Sequence, residues 1–221
     1  VREGLARMYE RGEDVFYYLT VLNENYEHPA MPEGAEEGII KGMYLLRAAS
    51  KKAPKDKKVQ LMGSGAILRE VIAGADLLAR DYGIEADIWS VTSFTELKRE
   101  ADACERWNML HPMETPRVPY VERCIAERGG GPVIASTDYV KLFADQIRPF
   151  VPGRYKVLGT DGFGRSDYRR KLRSFFEVDR NFVAVAALKA LADDQLVSNK
   201  LVADAIDRYA IDPEKPDPMR A

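Results

Sequence analysis

The clearest pattern in the chain is a run of apolar residues, Ile67, Leu68, Val71, Ile72, Ala75, Leu78, Ala79 and Tyr82, recurring every three or four positions. That spacing predicts a helix laid against a sheet. Gly83 ends it, and residues 84–91 resume the alternation of a strand. Upstream, residues 59–63 (VQLMG) read as another strand and residues 36–49 as a helix. Ser93 and Glu96 form a capping box that opens a helix toward Arg106. A proline-punctuated loop, residues 108–119, leads to a short helix over residues 120–127. Residues 132–137 (PVIAST) are continuous and short, as buried parallel strands are, and residues 155–159 (YKVLG) have the same texture. Asp138 is placed to cap a helix whose Val140, Phe143, Ala144 and Ile147 share a face. Ser166, Asp179 and Ser198 are placed to cap three more.

The ends differ in texture. Leu5, Met8 and Tyr9 lie near helical spacing in residues 1–11, and residues 14–22 (DVFYYLTVL) are β-branched and aromatic enough to predict a strand. Residues 23–34 (NENYEHPAMPEG) have the composition of a linker, which places a domain boundary near Pro32. The tail IDPEKPDPMRA, with three prolines, is predicted to be irregular. Strands alternating with helices at this spacing predict an α/β domain with a mostly parallel sheet.

Composition narrows the function classes. The 221 residues carry 33 Lys plus Arg against 35 Asp plus Glu, a net charge of −2. With a pI of about 5.9, no global field gathers nucleic acid or anionic lipid. The lysine-rich stretch at residues 50–58 has no interleaved aromatics to stack bases and reads as a solvated loop. Cys104 and Cys124 have neither metal-ligand spacing nor the density of a disulfide scaffold, so both are expected to be reduced thiols of a cytoplasmic protein. His28 and His111 supply too few ligands for zinc, and no metal site is expected. The most apolar stretch, residues 182–191, is too short to cross a membrane and is broken by Lys189. The charged start without Met reads as part of something longer.

Candidate chemistry is thin. Gly63-Ser64-Gly65, between a strand and a helix, offers backbone amides and a helix dipole to an anion. It lacks the full dinucleotide fingerprint and the P-loop lysine, so a tight turn is the stronger reading. Asp161, Gly162, Gly164 and Arg165 follow the last strand, where α/β proteins place ligands. There Asp161 can ligate a cation and Arg165 can hold a carboxylate or phosphate bidentately, or the two can pair across a glycine turn. Gly63, Ser64, Gly65 and Arg165 are therefore the weak anion-site candidates. Cys104, His111 and Asp138 make a nucleophilic set only if folding brings them together, and a buried inert Cys104 is the simpler expectation.

Five stretches are distinctive as words: YEHPAMPEGAEEGI, SVTSFTELKREADACERWNMLHP, ETPRVPY, ASTDYVKLFADQIRPFVP and VLGTDGFGRSD. In that order they closely resemble the C-terminal end of the homodimeric pyruvate dehydrogenase component of bacterial 2-oxo acid dehydrogenase complexes, over essentially the whole chain. The resemblance implies a transketolase-like arrangement, with residues 1–31 a remnant of the pyrimidine-binding middle domain and its linker, and residues 32–221 the C-terminal domain. It implies a three-layer αβα sandwich around about five strands, mostly parallel with one antiparallel. Pattern supplies four strands in that span, so one is missed or short, and residues 182–187 could hold it instead of a helix.

The parent enzyme implied by the resemblance decarboxylates pyruvate on thiamine diphosphate and magnesium and passes the acetyl unit to the lipoyl group of dihydrolipoyl acyltransferase. That family holds the cofactor with a Gly-Asp-Gly segment and paired asparagines. This chain has no Asn-Asn, and Thr160-Asp161-Gly162 is only an echo of the motif. The expectation is a non-catalytic structural domain that binds no cofactor or metal itself. Its partners would be the upstream domains of the same polypeptide, a second copy in a homodimer and, through the parent, the acyltransferase. A regulatory or partner-binding module recognising an anionic ligand or another subunit is the alternative. The loop at 108–119 and the turn at 161–165, dense in Trp107, His111, Phe163 and Arg165, are expected to face a neighbouring domain.

Overall fold

The computed structural model describes residues 1–21, 25–50 and 52–220. The chain divides into two compact units, Val1–Glu33 and Gly34–Ala221. In the first, helix α1 (Arg2–Leu5) runs into a single π turn over Ala6–Glu10. Arg7 and Arg11 both donate to the Glu13 carboxylate, at 2.6 and 2.8 Å, and the Tyr17 ring lies against Gly4. Residues 14–21 carry no strand pairing, contrary to the expectation for 14–22; Leu22 is outside the described residues. A β-branched, aromatic segment becomes a strand only when a neighbour completes its hydrogen bonds, and Phe16, Tyr18 and Val21 are exposed here.

The second unit is built on a five-stranded sheet of order β1-β3-β2-β4-β5, formed by β1 (Met43–Arg47), β2 (Lys58–Gly63), β3 (Glu85–Val91), β4 (Val133–Ser136) and β5 (Tyr155–Leu158). Only β1 is antiparallel, pairing β3 with a bulge between Leu45 and Arg47; the other pairings are parallel. Side-chain alternation splits the core into two layers. Val59, Leu61, Ile88, Ile134 and Leu158 point to the side of α3 (Leu68–Tyr82), α8 (Arg180–Asp193) and α9 (Asn199–Arg208). Met62, Trp89, Val133 and Val157 point to the side of α4 (Phe94–Leu110), α5 (Tyr120–Glu127) and α6 (Lys141–Asp145). The result is the three-layer αβα sandwich that the resemblance implies. Among the described residues, no helix is long and apolar enough to cross a membrane.

The fifth strand is not where it was expected. Helix α2 (Glu36–Lys41) stops at Gly42, which takes φ +103°, and a Cβ there would lie 2.6 Å from the Ser93 carbonyl oxygen. Only glycine tolerates both. The chain therefore reverses into β1, and the helix read over 36–49 is a short helix followed by a strand. Residues 182–187 lie inside α8, whose first turn is capped by Asp179 accepting from the backbone N–H groups of Asn181 and Phe182. Alanine-rich and apolar on most sides, α8 packs between α3 and α9, and a short apolar run of this kind does not distinguish strand from buried helix by pattern alone.

The other caps divide. Ser93 accepts from the Glu96 N–H at 3.1 Å, but Glu96 turns to Arg99, so the box closes on one side only. Ser198 caps α9 through the Leu201 N–H. Ser166 does not cap α7 (Arg169–Phe175), which starts after Tyr168, and Asp138 does not cap α6, which starts after Val140. Of the four residues assigned to one buried face of α6 and its extension, Ala144 and Ile147 are in the core, while Val140 and Phe143 are exposed.

Two buried charge networks lock the layers. Asp87 on β3 is fully buried; its Oδ1 accepts from Arg128 Nε and Nη2 at 2.9 and 2.6 Å and from the Ala49 N–H at 2.8 Å, and Lys58 Nζ lies 3.1 Å from Oδ2. Its register partner Gln60 accepts from Trp89 Nε1 and donates to the carbonyls of Ile125 and Gly130. Across the sheet, Glu70 of α3 accepts from Arg173 at 3.0 Å and from the side chain and backbone of Arg180 at 2.9 and 3.1 Å. Burial pushes the Glu70 carboxyl up, but the Arg180 hydrogen bonds and the charges of Arg180 and Arg173 outweigh it and hold the group below its ordinary value.

Because the folded value is below the unfolded one, about 4.3, Glu70 stabilises the fold above that pH, and the contribution disappears as pH falls through the folded value. Glu70→Gln is expected to cost about 1–3 kcal/mol at neutral pH. Denaturant titrations at descending pH should show the gap to the parent chain shrinking; a gap that stays constant into strong acid contradicts this account. Asp87→Asn, which strands two buried cations, is expected to cost about 3–5 kcal/mol. Replacing Asp87, Arg128 and Lys58 together by apolar residues of similar size should recover most of that loss in the same titration.

Candidate functional site

The parallel strands run β3-β2-β4-β5 across the sheet. From β2 the chain leaves through α3 on one face, and from β4 it leaves through α6 on the other, so the loops beyond these adjacent strands diverge. That divergence is the place where open parallel sheets form a ligand crevice. Gly63, Ser64 and Gly65 lie on one lip, and Ser136, Thr137 and Asp138 on the other.

The crevice is bridged by the protein's own groups. Ser64 Oγ donates to Thr137 Oγ1 at 2.8 Å, and the Ser64 N–H donates to the Ser136 carbonyl at 3.3 Å. Gly65 takes φ +54°, and a Cβ there would lie 3.2 Å from Asp138 Oδ1. Burial pushes the Asp138 carboxyl up, opposed by its own backbone N–H and the charge of Arg173. The strand-to-helix turn therefore already faces a carboxylate, which complements the positive end of the helix that follows. An arriving anion meets that negative group.

Arg165, the fourth anion-site candidate, has different neighbours. Its guanidinium lies 4.2 Å from the Phe175 ring centroid, and its side chain is exposed. The expected Asp161–Arg165 pair does not form. Asp161 instead accepts from the Lys141 backbone N–H at 2.8 Å and faces Lys141 Nζ at 3.6 Å. It supplies the α6 N–H with the acceptor that had been sought in Asp138. Thr160 Oγ1 donates to the Asp138 carbonyl at 2.7 Å, lacing the turn after β5 to the loop after β4. Gly162, at φ +99°, lies under the Pro218 carbonyl, where a Cβ would approach within 2.6 Å.

The imagined nucleophilic set is not assembled. Cys104 is buried and its Sγ lies 3.3 Å from Glu100 Oε1; burial first, and Glu100 second, push the thiol up to about 11. A thiol so raised stays protonated at neutral pH and is a poor nucleophile. His111 stacks on Trp107 at 4.5 Å, with Nδ1 2.8 Å from the Trp107 carbonyl. Asp138 stays at the crevice, and His28 is exposed in the first unit. Sequence reasoning missed Glu100, whose second oxygen accepts from the Tyr120 N–H at 2.9 Å and thereby ties α5 to α4. The signal was the i, i+4 spacing of Glu100 and Cys104. It also missed Lys141 as the partner of Asp161, for which distant positions in the sequence carry no signal.

A thiamine diphosphate–magnesium site does not fit at Thr160-Asp161-Gly162. Magnesium takes a set of oxygen ligands, whereas Asp161 is a single carboxylate facing Lys141, and among the described residues no group of three or more His, Cys, Asp or Glu is placed to hold a metal.

Comparison with known proteins gives this geometry its setting. Residues 42–179 match the family described as transketolase-like TK C-terminal domain, and residues 1–29 match the pyruvate dehydrogenase E1 component middle domain. Over 99% of its length the chain is 60% identical to the pyruvate dehydrogenase E1 component of Cupriavidus necator and 61% identical to that of Pseudomonas aeruginosa; over all of its length it is 56% identical to that of Escherichia coli. It spans about a quarter of each relative, 24%, 25% and 24% respectively. A transketolase from Campylobacter jejuni aligns over 74% of this chain and 20% of its own at 19% identity, with a TM-score of 0.47, a likeness too distant to bear on function. With the family match covering more than half of its residues, the chain belongs to the transketolase-like TK C-terminal domain family.

Proposed function

We propose that the chain is a non-catalytic packing and assembly domain of a pyruvate dehydrogenase, residues 32–221 forming the domain and residues 1–31 belonging to the one before it. The whole enzyme decarboxylates pyruvate on thiamine diphosphate and magnesium held by upstream segments, and reductively acetylates the lipoyl group of dihydrolipoyl acyltransferase. It works in the cytoplasm as a homodimer. The cofactor supplies the electron sink for that chemistry; the residues of this chain orient and support its neighbours. The single observation that carries this reading is the identity of about 60% with E1 components across nearly the entire chain. The structure supports it in two places: the Asp161 carboxylate accepts from the Lys141 N–H, and the Cys104 thiol is buried beside Glu100 and pushed up to about 11.

The packing surface follows from exposure. Leu142 is 74% exposed and Phe143, Tyr139 and Val140 are exposed beside it at the carboxyl edge. At the end of α4, Trp107 carries Arg117 4.0 Å from its ring centroid and His111 stacked on the ring, with Met109 and Met113 exposed nearby. Tryptophan and arginine with flanking apolar groups are the composition of interface centres.

Titration calorimetry of the 221-residue chain with thiamine diphosphate and magnesium is expected to show no saturable heat, and pyruvate-dependent dye reduction no turnover. Binding accompanied by turnover overturns the reading. Saturable heat with inorganic phosphate, abolished by Gly65→Asp, would favour instead the anion-recognising module at Gly63, Ser64 and Gly65.

A further inference from the structure

The stretch read as irregular, with its three prolines, has no helix or strand but holds two like turns. Asp212-Pro213-Glu214-Lys215 and Asp217-Pro218-Met219-Arg220 share the order aspartate, proline, any residue, cation. The Asp212 carboxylate accepts from the Glu214 N–H at 2.9 Å, and the Asp217 carboxylate from the Met219 N–H at 3.0 Å. The Lys215 and Arg220 N–H groups donate back to the Asp212 and Asp217 carbonyls at 3.4 and 2.8 Å. Aspartate in the first position and proline in the second preset such turns and reduce the entropy lost in forming them.

The two turns grip different places. From the first, Lys215 Nζ donates to the Phe175 carbonyl at the end of α7 at 2.9 Å and to Glu177 at 2.8 Å, and it lies 5.2 Å from the Phe182 ring centroid. Glu177 takes φ +62°, a conformation that favours glycine, yet presents its carboxylate to this lysine. From the second, the Pro218 carbonyl rests on Gly162 in the turn after β5. That turn has no helix or strand of its own; Asp161 reaches from it to the Lys141 N–H, and Thr160 to the Asp138 carbonyl. Between the first turn, the start of α8 and the end of α9 lies a cavity of about 200 Å³, lined by Asp212, Lys215, Asn181, Phe182 and Tyr209 among others. No residue of 212–220 is buried. A segment held at points over a void, without apolar burial, opens far more readily than the core.

We propose that residues 212–220 are a strap: latched by Lys215 and seated on Gly162, they hold the turn after β5 and, through Asp161 and Thr160, the start of α6. Helix α7 is itself anchored to α3 through Arg173 and Glu70. Lys215 therefore fastens the strap to a fixed point, and the second turn carries that fixity to Gly162. Release of the strap frees the carboxyl edge while the core stays folded, because the Glu70 and Asp87 networks include no residue of 212–220. Tyr139, Leu142 and Phe143 stand exposed on the segment so held, and the shape of their surface is conditional on one ion pair and one backbone seat. This role goes beyond the packing function proposed above and stands without it.

The test is amide hydrogen exchange followed by NMR on the full 221-residue chain. Two amides report on the edge: Thr160, which donates to the Tyr139 carbonyl at 2.9 Å, and Lys141, which donates to Asp161. Leu61 and Ile88 report on the core. Lys215→Met keeps the apolar stem and removes the ammonium, and a chain stopped at Ile211 removes the strap. Both are expected to speed exchange at Thr160 and Lys141 roughly tenfold or more and to leave Leu61 and Ile88 unchanged. Glu177→Gly relieves the backbone but removes the latching carboxylate, and is expected to speed the same two amides; a merely conformational role for this position would slow them. Lys189→Met, at an exposed cation of α8, is expected to change neither. The proposal is overturned if Thr160 or Lys141 keeps the parent rate in Lys215→Met or in the shortened chain, or if Leu61 and Ile88 accelerate equally. Slower exchange in Glu177→Gly, or an equal effect of Lys189→Met, overturns it as well.

Discussion

The carboxylate of Asp87, buried in the middle of a parallel strand, is the constraint around which the α5 side of the domain is arranged. A buried charge is tolerated only when its oxygens are matched, and matching this one requires Arg128 from the end of α5, Lys58 from the start of β2 and the backbone of Ala49 beyond β1. Arg128 Nη2 also donates to the Ala49 carbonyl at 2.6 Å, and Lys58 Nζ donates to the Arg128 carbonyl. Three segments distant in sequence can satisfy one another in only one register. Gln60, beside Asp87 on the next strand, repeats the arrangement with neutral groups. The α5–β4 connection is thus fixed by polar contacts at its start, where its run of glycines supplies no side chains to pack.

At the opposite end of the strands the same principle laces loops together. The carboxyl edge contains the residue types from which an α/β enzyme makes a site: Ser64, Thr137, Asp138, Asp161 and Lys141. The side chains of Ser64, Thr137, Asp161 and Lys141 are tied to a neighbouring loop, and Asp138 is tied through its backbone carbonyl. Ser64 joins β2 to β4, Thr160 joins the β5 turn to the β4 loop, and Asp161 holds the start of α6. These loops are laced to one another, while the buried Ser136 hydroxyl on the β4 lip has no hydrogen-bond partner among the described residues.

Much of this was legible in the sequence, and the failures have specific causes. The helix of residues 67–82 and the strands at 59–63, 84–91, 132–137 and 155–159 emerged because each is amphipathic or continuously apolar along its whole length. β1 did not, because the signal that separates it from α2 is the single Gly42, whose side chain is excluded by the Ser93 carbonyl far along the chain. The apolar run in α8 was ambiguous because burial on most sides erases periodicity. Caps succeeded where the residue lay immediately before its own helix, as at Ser93, Asp179 and Ser198. The α6 acceptor came from Asp161, 20 positions away, and no local pattern announces such a contact. The family resemblance supplied the layer order and the antiparallel strand, which periodicity alone did not.

The burial of α8 has a consequence for how the domain is made. Gly74 of α3 lies so close to Val183 that an added Cβ would sit 2.8 Å from Cγ1, so the outer face of α3 is shaped to receive this one helix. Yet α3 ends at Tyr82 and α8 at Asp193. At a synthesis rate of about 5–20 residues per second, α3 waits on the order of ten seconds at the ribosome for its cover. During that interval the face of α3 around Gly74 lacks the helix it is shaped to receive, and the nascent chain is a client for whatever shields apolar surface in the cell.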